Sequence, residues 1–353
     1  MKSKSQVPFS VIIKALLDNS KTFPPQYHHR FADLNEENCK SLEEIWLQID
    51  EKRRINLLED LEVLLESDTT VLFDEIGQLA LKDPNPQARA SAIRLLSEYP
   101  KESRARTFLK FAESDPDECV RAEAASALGH YVYEGEMEEI SIETKEKVEK
   151  FLLKVIAGKD TALVRRRALE AISFSSRDEV PSLIEKAYQS KDTSWVVSAL
   201  FAMGRSMDNE RWEKPVLENI SSPDPEVSFE AVRAAGQMEL HSARPLLLEM
   251  LESYEELDTD LREAVIWSLS EIGGEGVRKK LEALSDELDD DEDIEFIDEA
   301  LENLEFTEDF KLVGMFDINM LKGTDLDTII DLENDDLEDD DFSNTSWDEE
   351  HKE

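Results

Sequence analysis

Only two cysteines, Cys39 and Cys119, occur in 353 residues, so no disulfide framework holds this chain. The five histidines, His28, His29, His130, His241 and His351, include no i, i+4 pair and no neighbouring thiol, the spacings zinc would need. Residues 289–293 (DDDED) alternate carboxylates as a calcium loop does. However, Ile294 stands where that loop needs glycine and Ala300 where it needs a bidentate glutamate. No glycine-rich phosphate loop and no nucleophile elbow occurs, so no metal, no cofactor and no catalytic residue is expected. Apolar runs are short: the stretch PFSVIIKALL is broken by Lys14 and no small-residue cleavage site follows, which predicts neither a membrane span nor a signal peptide. A cytoplasmic location is the expectation. Basic residues are scarce, 40 against 83 acidic ones, for a formal charge of −43. Proteins that bind nucleic acid displace counterions with basic side chains, so neither nucleic acid nor a membrane surface is expected as partner.

What the chain does contain is a phrase that returns with variation. It reads DPNPQARASAIRLLS from Asp83, DPDECVRAEAASALG from Asp115 and DTALVRRRALEAIS from Asp160. It recurs as DTSWVVSALFAMG from Asp192, DPEVSFEAVRAAG from Asp224 and DTDLREAVIWSLSEIG from Asp258. Arg89, Arg121, Arg165, Val196, Ser228 and Arg262 occupy equivalent positions, 32, 44, 31, 32 and 34 residues apart. A near-constant period in the thirties marks stacked supersecondary units, each able to bury its apolar face only against a neighbour. In each unit the turn Asp breaks one helix and supplies a cap acceptor for the next. Apolar residues then follow at anchor +3, +4 and +7, a single helical stripe such as Ala124, Ala125 and Leu128. Weaker units flank these, with Arg54 and Ile297 in the anchor position. Gly129, Gly204, Gly236 and Gly273 fall near helix ends, where a left-handed residue is expected.

The turn Asp followed by Val-Arg in an alanine-rich helix, clearest from Asp117 to Gly129, resembles HEAT repeats, in particular their phycobilisome-lyase-like subclass. The resemblance spans roughly residues 42–305 and extends to a bacterial group without assigned activity. It implies an all-α fold, a right-handed α-solenoid of about eight stacked helix pairs. It also implies that Asp83, Arg89, Asp117, Arg121, Asp160, Arg165 and Arg262 form a structural ladder between repeats. The expected function is a non-catalytic scaffold binding a protein or peptide along the concave groove. The alternative from the same resemblance is an enzyme of the bilin-lyase kind, attaching or isomerising a chromophore.

Composition divides the chain into a capping segment (1–41), the solenoid (42–306) and an acidic tail (307–353). Residues 286–353 hold 29 acidic and three basic side chains, which leaves −17 for the first 285 residues. A segment so charged buries too little apolar surface to offset its ordering entropy, so the tail is expected to be mostly disordered. Apolar residues among its acids (Phe310, Phe316, Ile329, Ile330) also allow a cis contact with the solenoid. At 100° per residue, anchor +2, +5 and +9 lie opposite the core stripe. That face collects Arg167, Phe174, Phe201, Arg205, Arg233 and Trp267, and by resemblance it lines the groove. Aromatic and arginine side chains dominate binding hot spots, which makes these six the candidate contact residues.

Overall fold

The computed structural model describes residues 7–323 apart from residues 33, 69 and 207, with side chains through residue 308. Every regular element among them is a helix. After α1 (Phe9–Leu17) and a 3-10 turn (Pro25–Phe31), helices follow in consecutive pairs: α2 (Glu36–Ile45) and α3 (Glu51–Ser67), α4 (Asp74–Ala80) and α5 (Pro86–Ser97), α6 (Glu102–Ser114) and α7 (Glu118–Glu136). Next come α8 (Ile142–Ile156) and α9 (Ala162–Ile172), α10 (Val180–Tyr188) and α11 (Thr193–Arg205), and α12 (Asn209–Asn219) and α13 (Pro225–Gln237). The last pairs are α14 (Arg244–Met250) with α15 (Thr259–Ile272), and α16 (Val277–Glu287) with α17 (Asp291–Gly323). The chain is an all-helical α-solenoid of paired helices.

Two compact units divide it, residues 1–268 and 269–353. In the first, each of α4, α6, α8, α10 and α12 packs on the helix that follows it. The second helices α3, α5, α7, α9, α11 and α13 stack on one another in that order. Their stripes are buried throughout: Ala92, Ile93 and Leu96, then Ala124, Ala125 and Leu128, then Ala199, Leu200 and Met203. Burying one such leucine contributes about 1.5–3 kcal/mol. The close stacking explains two glycines. A Cβ on Gly204 would stand 2.9 Å from Ala234 Cα, and one on Gly129 would stand 3.1 Å from Ala171 Cα. Both lie inside helices, not at left-handed ends. The positive-φ glycines are Gly273, Gly274 and Gly276, before α16.

The N-terminal segment covers the start of the stack. Ile12 and Leu16 of α1 are fully buried, Phe9 meets Phe31 edge-on at 6.1 Å, and Arg53 donates to the carbonyls of Ala15 and Lys21. His28 is buried: the 3-10 turn packs on α3, and the ring stacks on Phe23 with Nε2 3.3 Å from Asp60. Cys119 is exposed on the first turn of α7. Most of the extra length of the one long period lies in α7, which runs 19 residues where α5 has 12.

In the second unit α16 packs on α17, burying Val277, Leu281 and Leu284 with Ile297, Ala300 and Leu304. Asp290 caps α17 by accepting the amides of Glu292 and Asp293, which is the role its acidic cluster plays here. α17 extends to Gly323, past residue 306 where composition places the start of the tail. Residues 324–353, including Ile329 and Ile330, lie outside the described residues.

Candidate functional site

The inter-repeat ladder sets the geometry of the second-helix face. Asp83 accepts from Arg54 Nε (2.7 Å), Trp46 Nε1 (2.8 Å) and the Asn85 amide (2.8 Å). Arg89 grips Asp115 with two bonds of 2.9 and 2.8 Å, and Arg121 grips Asp160 with 2.9 and 2.7 Å. The ladder carboxylate of the second repeat is therefore Asp115. Asp117 caps α7 by accepting the amides of Cys119 and Val120. In D-P-D and D-P-N turns the first residue reaches back to the preceding repeat and the third caps. The hydrogen bonds from Arg121 hold the Asp160 carboxyl below its usual value, against a smaller opposing effect of burial.

Beyond α9 the ladder stops. Arg165 donates to the Ile156 carbonyl at 2.9 Å and lies 5.4 Å over the Trp195 ring, while Asp192 only caps α11. Ser228 takes the anchor position in α13 and donates to the Ile220 carbonyl at 2.6 Å. Arg262 lies over the Tyr254 ring at 4.8 Å.

The face opposite the core stripe is only partly open, because the second helices stack through it. Ser91, Ser198 and Ala264 are buried, as are the carboxylates of Glu170 and Glu230. Polar residues join neighbouring helices across it. Arg94 bridges Glu62 (3.1 Å) and Glu123 (3.4 Å), and Arg166 donates to the Ser194 carbonyl and the Ser198 hydroxyl. Glu170 accepts from Arg167 and Ser198, both at 2.5 Å. Burial works against the Arg167 charge, but Glu170, with Glu123 and Glu230 nearby, outweighs it and holds the guanidinium above its usual value. Arg167 is thus tied internally to Glu170. Burial pushes the Glu230 carboxyl up, with Arg233 at 3.7 Å opposing it, and Glu230 Oε1 has no hydrogen-bond partner.

Of the six candidate residues, the structure brings Phe174, Phe201 and Arg205 together. The Arg205 guanidinium lies 4.0 Å from the Phe201 ring centre and 5.2 Å from that of Phe174. Burial lowers its affinity for the proton, and the Arg233 charge adds to this. Arg233 itself lies 5.8 Å over Phe229. Trp267, on α15, is 38% exposed. Tyr133, whose ring meets Phe174 edge-on at 5.2 Å, belongs to the same cluster. It lies in the extra length of α7, past the last register position of the repeat, so periodicity assigns it no face.

Among the described residues no helix is long and apolar enough to cross a membrane, and no group of side chains is arranged to hold a metal ion.

Stacked helix pairs tied by turn aspartates and helix arginines define a class of repeat proteins. The HEAT-repeat family profile matches residues 73–173 and 213–305, more than half of the chain, and the chain belongs to that family. No curated protein matches it. Among solved structures it is similar to YibA of Escherichia coli, at 17% identity over 82% of this chain and 98% of that one, with a TM-score of 0.41. Importin beta is 13% identical over 84% of this chain and 46% of its own, with a TM-score of 0.40. Kap121p bound to Nup53p is 15% identical over 90% of this chain and 40% of that one, with a TM-score of 0.36.

Proposed function

We propose that this protein is a non-catalytic scaffold that binds a protein or peptide along the second-helix face of α9, α11 and α13. The observation that carries this reading is the stack of Arg205 on Phe174 and Phe201, all three half-buried. Rigid aromatic area beside a guanidinium is the composition of binding hot spots. A chain of net charge −43 has few cations to place, and here two of them lie on rings on adjacent second helices. Random dodecapeptides selected on the full-length protein test the reading. Their binding is expected to fall at least about tenfold when Phe201→Ala and Arg233→Ala are combined, the loss of two contacts worth about 1 kcal/mol or more each. Equal binding to a folded double variant would remove this face as the site.

A further inference from the structure

A cavity of about 580 Å³ opens where the end of α7 meets the α9–α10 and α11–α12 turns. One wall is apolar: Tyr133 and Met137 are 43% and 46% exposed, and Phe174 and Pro181 continue the surface. The lining also includes Arg177, Arg205 and Arg211. Two of these cations are already matched. Arg177 donates to Glu179 at 2.9 Å with Glu149 at 3.6 Å, and Arg211 lies 3.2 Å from Asp208. Glu136, on the rim, is held by Lys145 at 2.8 Å and by the Ser176 amide at 2.7 Å. Arg205 differs, since among the described residues it makes ring contacts and no ion pair. The guanidinium is held between the Phe201 and Phe174 rings, at 4.0 and 5.2 Å, with no carboxylate paired to it among the described residues. A planar fork of N–H donors held in this way suits a carboxylate.

We propose that this cavity anchors a peptide through a single carboxylate next to an apolar or aromatic side chain. Arg205 receives the carboxylate, and Tyr133, Met137 and Pro181 hold the side chain. The proposal rests on the peptide-binding reading above and names the chemistry of its ligand. A volume of this size lies within the usual range for ligand sites, about 300–1,000 Å³, and takes one or two residues of a peptide. Asp178 also lines the cavity, beside the paired Glu136 and Asp208, so an isolated carboxylate fits better than an acidic run. A C-terminal carboxylate and a lone glutamate side chain offer the same group.

Fluorescence anisotropy with the full chain separates these cases. The probes are fluorescein-labelled pentapeptides Gly-Ser-Gly-X-X, with X being Leu or Phe, as free acids, as C-terminal amides, and as amides with Glu replacing the second Gly. At least one carboxylate form is expected to bind about tenfold or more tighter than the neutral amide, since a hydrogen-bonded charge pair contributes about 1.5–3 kcal/mol. Arg205→Gln is expected to abolish that preference while leaving the melting curve in place, and Arg205→Lys to retain part of it. Tighter binding of the free acid assigns a chain terminus, and tighter binding of the glutamate form assigns a side chain. Equal affinities for all three forms, or a preference that survives in Arg205→Gln, overturn the proposal. Should that happen while selected dodecapeptides still depend on Phe201 and Arg233, the face stands and the anchor falls.

Discussion

Asp115 and Asp117 are two residues apart and chemically identical, yet they hold different partners. Asp115 receives a bidentate guanidinium from the preceding repeat, whereas Asp117 receives two amides of its own helix. Removing a cap costs about 1 kcal/mol. Removing one partner of a buried ion pair costs about 3–5 kcal/mol, because the other charge stays buried. Urea unfolding should therefore show a loss several times larger for Asp115→Ala than for Asp117→Ala, and equal losses would mean that the ladder contributes little. Titration separates two other carboxylates. The Asp160 carboxyl is lowered from 3.8, so its contribution to stability is present above that value and is lost as pH falls through the folded-state pKa. Glu230 is raised from 4.5, so its contribution is present below pH 4.5 and is lost as pH rises through the folded-state pKa. Glu230→Gln is accordingly expected to raise the melting temperature at pH 7 and to leave it unchanged at pH 4. A variant that melts lower at pH 7 would show that the attraction of Arg233 outweighs the burial of the charge.

At the scale of the helix, what could be read in advance followed from periodicity. The +3, +4, +7 stripe located the core of every clear repeat, because a helix that buries one side must repeat apolar residues on that side. Contacts between adjacent second helices do not repeat in this way. The same calculation placed Ser91, Ser198, Glu170 and Glu230 opposite the core. It could not show that the next helix covers them, since that depends on how closely small residues let the axes approach. The ladder assignment of Asp117 rested on matching letters in a D-P-D turn, where two equivalent residues divide two roles. Tyr133 stands in the extra length of α7 and so has no register position, although it completes the aromatic cluster at Phe174. Gly204 tests the close approach directly. Alanine there gains about 1 kcal/mol of helix propensity but forces α11 away from Ala234, and overpacking of this kind costs about 1–3 kcal/mol. Gly204→Ala is expected to lower the melting temperature, and a rise would mean that α11 and α13 are not held at this separation.

For the molecule as a whole, charge pairing is distributed unevenly along the stack. Asp–Arg clamps join α3 to the α4–α5 turn, α5 to the α6–α7 turn and α7 to the α8–α9 turn, and none follows between α9 and α13. Stability in a repeat stack is approximately a sum of repeat and nearest-neighbour terms, so a stretch with weaker interfaces opens independently of a clamped one. Phe174, Phe201 and Arg205 fall in the stretch without clamps, whereas Tyr133, which meets Phe174, stands on the clamped α7. This arrangement suits a binding surface that adjusts to its ligand while the clamped repeats hold the register. Native-state hydrogen exchange is expected to show lower protection in α11 and α13 than in α5 and α7. A peptide bound at Arg205 should raise protection in α11 while leaving α5 unchanged. Leu200→Ala leaves a cavity in the core stripe of α11 and costs about 2–5 kcal/mol, so it should reduce protection from α9 through α13 but not in α3 and α5. If that substitution lowered protection uniformly from α3 to α13, residues 1–268 would unfold as one cooperative block. The uneven placement of the clamps would then have no thermodynamic consequence.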